Sequence, residues 1–233
     1  RQARNLYPGI ITIGMETWPG YLALVVARDK GYFREEGLNV EIRRYLALGK
    51  LSRDYVEGKM QARANLTLDA VNESVQGLSH KAVLAVDYSN GADAIVARGN
   101  IGGIGDLAGK RVGYEADTLE EFFLAWALNQ YGLSLKDVIS VPGNPREAGR
   151  MLKAGRVDAA VTHEPFLSKA IKNGKARAVY SSARAPGLIT DILTFRTDFI
   201  EAHPESVKGV VRAYFRALDF WKKNPQEAYA LLA

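Results

Sequence analysis

An α/β fold of two similar lobes is predicted for this 233-residue chain, and three observations predict it. Short β-branched runs alternate with longer amphipathic stretches, the pattern of strand–helix units that feed largely parallel sheets. The alternation occurs twice, in the same order and at nearly the same spacing. Between the two copies lies a polar, turn-forming stretch, residues 87–93, which reads as a crossing from one lobe to the other.

In the first copy, strands are expected at 10–14, 40–44, 62–66 and 82–86, with helices at 20–30, 50–57 and 68–76. The second copy places strands at 111–114, 138–141, 159–161 and 178–180, with helices at 119–131, 145–154 and 165–173. Each copy runs strand, polar turn, apolar helix, Tyr-Gly corner, strand, helix, Gly plus base, strand, Thr-x-acid. The corners are Gly31 with Tyr32, and Tyr131 with Gly132. The Gly-plus-base pairs are Gly58 with Lys59, and Gly155 with Arg156. They lead to Thr67 and Asp69 in one copy and to Thr162 and Glu164 in the other.

The tail departs from this plan. A strand is expected at 188–195 and an amphipathic helix at 204–223, striped by Val207, Val210, Val211, Tyr214, Leu218 and Trp221. Pro204 suits the first turn of that helix and Pro225 begins another. A return crossing falls at 185–191, where Pro186 and Gly187 break the chain. The lobes are therefore expected as 1–90 plus 190–233, and 91–189.

Composition removes several functions. With 47% hydrophobic and 24% charged residues the chain is ordinarily globular. Zero cysteines exclude thiolate catalysis, disulfides, cysteine-ligated zinc and iron–sulfur clusters. The formal charge of +5 is spread among alternating acids and bases, with no basic run interleaved with aromatics, so nucleic acid is not an expected partner. The longest apolar run, Tyr21 to Ala27, is far short of the roughly 20 residues of a membrane span. The N-terminus lacks the charged-then-apolar pattern of a secretory signal, which suits a cytosolic protein or a processed form.

Ligands of open α/β sheets collect at the carboxyl ends of strands, where helix N-termini present unpaired N–H groups. Those ends hold Glu16, Thr17, Trp18 and Tyr21; Thr67 and Asp69; Asp87 to Asn90; Glu115 and Thr118; and Thr162, His163 and Glu164. Thr67 and Thr162 also suit helix capping. Catalytic constellations are poor: His80, His163 and His203 lack metal-ligand spacing, and neither a Gly-x-Ser-x-Gly elbow nor a phosphate loop is present. Gly102, Gly103 and Gly105 precede a short helix rather than follow a strong strand, so a dinucleotide is not expected. No cofactor, metal or turnover is expected.

Trp18, Pro19, Gly20 and Tyr21, followed by Ala27, Lys30 to Phe33, Glu36 to Leu38 and Val40, resemble the N-terminal region of ABC-importer solute-binding proteins. The resemblance is to the group that handles nitrate, taurine, alkanesulfonates and thiamine-precursor pyrimidines. It continues through 87–95, Leu107, Gly109, Lys110, Val112 and Gly113, then Val157 to Ala159, Thr162, Glu164 and Pro165, and finally Pro186, Gly187 and Asp191. It implies a type II periplasmic-binding fold, with two hinge crossings and a small molecule clamped between lobes. It also implies an ABC permease as partner, a periplasmic or cell-surface location and a monomer. Such proteins usually continue well past the equivalent of Ala233, so further C-terminal helices or a join to another domain are expected.

The residues expected to bind ligand are Trp18 and Tyr21 as wall or stacking surfaces, Thr67 and Asp69 from the first lobe, and Glu115, Thr118, Thr162 and Glu164 from the second. Asp87 and Asp191 join them near the hinge. Carboxylates outnumber bases here, which favours an amine, amidine or aminopyrimidine over a sulfonate or nitrate, unless helix N-termini alone hold an anion. A sensor module of a signalling protein and a pyrimidine-biosynthesis enzyme of the same fold are the rival readings.

Overall fold

The computed structural model describes every residue except 1–5, Thr17, Ala47, Asn100, Asn173, Leu232 and Ala233. Thr17, among the strand-end residues, and Asn173, the expected end of a helix, therefore lie outside the described residues. The first stretch of chain forms β1 (Ile10–Glu16), α1 (Leu22–Asp29), α2 (Tyr32–Glu35), β2 (Asn39–Tyr45), α3 (Leu48–Val56), β3 (Ala62–Leu66), α4 (Thr67–Val75) and β4 (His80–Tyr88). The second forms β5 (Asp93–Arg98), β6 (Arg111–Tyr114), α5 (Leu119–Asn129), β7 (Ile139–Pro142), α6 (Pro145–Ala154), β8 (Ala159–His163), α7 (Phe166–Ile171) and β9 (Ala176–Ser181). The tail adds β10 (Thr190–Arg196), α8 (Thr197–Ala202), α9 (Pro204–Lys223) and α10 (Pro225–Ala230).

The chain divides into two compact units. Unit 1 comprises Arg1–Tyr88 and Thr190–Ala233, and unit 2 comprises Ser89–Ile189. In unit 1 the sheet order is β2-β1-β3-β10-β4, with β1 parallel to β2 and β3, and β10 antiparallel to β3 and β4. Along β1, Ile11, Ile13 and Met15 enter the core. The helix α1 is buried all round from Leu22 to Ala27 because one side meets the sheet and the other meets α9. On α9, Val207, Val210, Ala213, Tyr214 and Ala217 form the buried stripe. Each fully buried Leu or Val contributes about 1.5–3 kcal/mol, so this continuous run is a main source of the unit's stability.

Unit 2 repeats the plan as β7-β6-β8-β5-β9, with β6 parallel to β7 and β8, and β5 antiparallel to β8 and β9. Its core joins Ala94, Val96, Ala148, Leu152, Val157, Ala160 and Leu167. The two Gly-plus-base corners are alike in conformation, since Gly58 and Gly155 adopt φ of 77° and 76°, the left-handed region where a side chain is strained.

Two expectations change. The sheets are mixed rather than largely parallel, because β10 and β5 each run against their neighbours. The stretch 87–95 is not all crossing: it turns at Gly91 and enters β5, a strand buried from Ala94 to Ala97 between β8 and β9. That apolar run is short and follows a strong turn signal, so local chemistry favoured the turn while pairing on both sides favours the strand. The short helices α2 and α8 also go beyond the expected set.

Candidate ligand-binding residues at the strand ends

In unit 1 the carboxyl ends of β1 and β3 lie at the same sheet end as the finish of β4 and the start of β10. Asp87 and Asp191 are register partners across β4 and β10. Trp18, in the turn after β1, sets its Nε1 3.4 Å from Asp87 Oδ2, and the Tyr21 hydroxyl donates to Asp191 Oδ1. Glycine at position 20 permits this packing, since a Cβ there would stand 1.9 Å from Asp87 Oδ2 and 2.6 Å from Trp18 Nε1. Four of the expected residues, Trp18, Tyr21, Asp87 and Asp191, are thus brought together.

Their electrostatics follow from crowding. Burial pushes the Asp191 carboxyl up to about 8, with the Asp87 and Glu16 carboxylates adding to the rise and the Tyr21 hydrogen bond opposing it. Burial and the same acids push the Tyr21 hydroxyl well above its ordinary range, so it serves as a donor. Tyr214 of α9 is pushed up to about 12 by burial, then by Asp87 and Asp191. A positive group placed among Glu16, Asp87 and Asp191 would relieve their repulsion.

Thr67 and Asp69 lie at the start of α4 and already have protein partners. The Thr67 hydroxyl donates to the Thr190 carbonyl at 2.9 Å, and Asp69 Oδ2 accepts from Arg63 Nη2 at 3.2 Å. Arg63 is a buried β3 residue whose Nη1 also reaches Glu73 Oε1. Burial lowers the Arg63 guanidinium from its ordinary value, with Asp69, Tyr21 and Glu16 pulling it back up.

In unit 2 the corresponding sheet end holds Asp93, Glu115, Thr118, Glu120 and His163. Thr118 caps α5, accepting from Glu120 N at 3.3 Å and donating to the Glu115 carbonyl at 2.8 Å. His163 Nδ1 donates to the Glu164 carbonyl at 2.8 Å, leaving Nε2 3.9 Å from Glu120 Oε1. Asp93, the register partner of His163, is pushed up by burial and by Glu120 against the pull of Ser89 and His163. Glu115 is pushed up by burial, then by Glu120 and Glu147. The other two expected residues face structural partners: the buried Thr162 hydroxyl donates to the Pro145 carbonyl at 2.9 Å, and the Glu164 carboxylate accepts Ser168 Oγ at 2.8 Å and Ser168 N at 3.2 Å.

Sequence reasoning did not single out Arg63, Glu73 or Glu120, and placed Asp93 only in the crossing. The available signal was an arginine within a strand of alanines, which demands a carboxylate partner once the strand is buried. Among the described residues, no group of three or more His, Asp or Glu side chains is arranged to hold a metal ion. No described helix is long and apolar enough to cross a membrane.

Comparison with known proteins agrees with this architecture. The taurine-binding periplasmic protein of Escherichia coli (strain K12) is 27% identical over 214 residues, covering 88% of this chain and 66% of its own length. The chain thus spans just under two thirds of that relative. The structure of the periplasmic aliphatic sulphonate binding protein SsuA from Escherichia coli matches with a TM-score of 0.84 at 19% identity, over 97% of this chain and 78% of that one. The nitrate-binding protein NrtA from Synechocystis PCC 6803 matches with a TM-score of 0.70 at 15% identity, over 96% of this chain and 65% of that one. The desulfurization enzyme DSZB has the same fold, with a TM-score of 0.68 at 16% identity, over 96% of this chain and 80% of that one. The family described as NMT1/THI5 like matches residues 18–228, and the chain belongs to it.

Proposed function

We propose that this chain is an extracytoplasmic solute-binding protein that takes up a small molecule between its two units and delivers it to an ABC importer in the membrane. The ligand carries a cationic or NH-rich group, as in an amine, amidine or aminopyrimidine. One observation carries the ligand class: carboxylates gather at the strand ends of both units, Glu16, Asp87 and Asp191 in one and Asp93, Glu115 and Glu120 in the other, while Arg63 is bridged by two acids. Binding acts by population shift, since a ligand that touches both units favours the closed arrangement by its differential contacts, and a permease reads that arrangement. A periplasmic or cell-surface setting and a monomeric state complete the reading.

Turnover is the second reading, because a desulfurization enzyme has this fold. The absence of cysteine removes thiolate chemistry from it. The test is native mass spectrometry of gently purified protein, followed by tryptophan fluorescence titration with whatever compound co-purifies. A nitrogen-bearing small molecule that binds one to one and is recovered unchanged supports the proposal. A co-purifying sulfonate or nitrate overturns the ligand class, and consumption of the compound overturns the binding role.

A further inference from the structure

Both terminal nitrogens of the Arg63 guanidinium in β3 are engaged by carboxylates, one each. Arg63 is 2% exposed, with Nη1 on Glu73 Oε1 and Nη2 3.2 Å from Asp69 Oδ2. Glu73 is equally buried and is held from α3 by the Ser52 hydroxyl at 2.8 Å, so its carboxylate is fixed on the arginine from the outer side. Asp69 is the solvent-facing partner, its side chain 32% exposed. A guanidinium offers a planar fork of N–H donors that suits a sulfonate or carboxylate in paired fashion. Here internal acids occupy that fork.

Asp69 opposes an anion in a second way. It stands in the first turn of the nine-residue helix α4, whose exposed N–H groups and dipole would otherwise favour negative charge. With two carboxylates on one guanidinium, the local formal charge is negative rather than positive. The charge lies at the same sheet end, because Leu66, the register partner of Asp191, immediately precedes α4, and Asp69 stands in that helix's first turn.

We propose that Asp69 and Glu73 are the charge-selectivity determinants of the unit 1 strand end: by engaging Arg63 they withhold it from an oxyanion and leave the site to cationic and NH-rich ligands. This inference rests on reading the strand ends as the ligand wall, and it assigns Asp69 a role in choosing the ligand's charge through Arg63.

The experiment compares benzamidine and benzenesulfonate, two probes with one ring and opposite charge, by titration calorimetry. The proteins are the wild type, Asp69→Asn, Asp69→Asn with Glu73→Gln, and Asp69→Asn with Arg63→Met. Wild type is expected to favour benzamidine. Asp69→Asn should raise benzenesulfonate affinity by about tenfold, as expected when a charged donor is freed, and addition of Glu73→Gln should raise it further. Arg63→Met should cancel the gain. An Asp69→Asn protein that melts like wild type with unchanged affinities for both probes overturns the proposal, and so does a gain that survives Arg63→Met. Because Asp69 is partly exposed, that variant decides the matter even if the Glu73→Gln protein misfolds. A wild type that prefers benzenesulfonate sinks the cationic-ligand reading, while the Asp69→Asn shift still decides the role of Asp69. Silence from both probes on every variant overturns both.

Discussion

Asp191 shows how crowded acids at a strand end make stability depend on pH. Its carboxyl is pushed up to about 8 by burial and by the neighbouring acids, against an ordinary value near 4 in the unfolded chain. Between those limits the folded protein binds the extra proton and the unfolded chain does not, so stability falls as pH rises through that window and the loss is complete above about 8. Asp191→Asn keeps an acceptor for Tyr21 and mimics the protonated acid. It is therefore expected to flatten the decline between pH 4 and 8 and to raise the melting temperature at pH 8 by on the order of 2–6 °C. Melting curves across that range check both signs, and an unchanged pH profile would return Asp191 to an ordinary ionised carboxylate. Glu164 supplies the contrasting case. Its two oxygens are engaged by Ser168 at the start of α7, so Glu164→Gln is expected to cost about 0.5–1 kcal/mol of stability with ligand affinity retained. A thermal-shift assay beside a binding titration separates the two effects, and a large loss of affinity would restore Glu164 to the ligand wall.

At the scale of elements, helix starts and turns fix where the polar groups point. Thr118 begins α5 and ties the Glu115 carbonyl to the Glu120 amide, so Thr118→Ala is expected to cost about 1 kcal/mol of stability, read from denaturant midpoints. The turn after β1 depends on space instead. Gly20→Ala would force Trp18 and Asp87 apart, and because both groups are side-chain ends, the expected result is a change in Trp18 fluorescence and weaker ligand binding with little loss of fold. A Gly20→Ala protein with wild-type fluorescence and affinity would show that the Trp18–Asp87 contact contributes nothing to binding. These elements were unevenly legible in the sequence. β3, α6 and α9 were found because apolar period, Pro and Gly agree at their ends, and the Asn144 cap with Glu147 reinforces α6. β5 was hidden because its four apolar residues follow a Gly turn and acquire strand character only from β8 and β9, which lie far along the chain. Of the four residues that lie together at the unit 1 strand end, Trp18, Tyr21 and Asp87 were marked by strand-end position, and Asp191 by the return crossing and the family resemblance. The Arg63–Glu73 pair was not, because a ten-residue separation carries no period that announces a contact.

At the scale of the whole molecule, the chain leaves unit 1 once and returns to it once. Tyr88 and Thr190 are register partners on adjacent antiparallel strands, while Ser89 N donates to the Ile189 carbonyl at 2.9 Å inside unit 2. Each unit therefore has neighbouring ends where the other begins. Unit 2 is also continuous in sequence, holds all five strands of its sheet and has its own apolar cluster. A domain of about 100 residues with those properties is large enough to fold alone. The isolated segment Ser89–Ile189 is accordingly expected to give a cooperative thermal transition and dispersed amide resonances. Unit 1 is discontinuous, yet joining Tyr88 to Thr190 through a two-residue Asn-Gly turn would make β4 and β10 a hairpin without changing the order of the sheet. That shortened chain should fold as well, with the Tyr21–Asp191 contact kept and a pH-dependent melting profile like that of the full chain between pH 4 and 8. If Ser89–Ile189 unfolds without a cooperative transition, its stability depends on unit 1, and the two units must be treated as one folding body. If both pieces fold but neither retains affinity for the co-purifying ligand at the concentration that saturates the full chain, binding requires groups from both units, which is the outcome that the clamp reading requires.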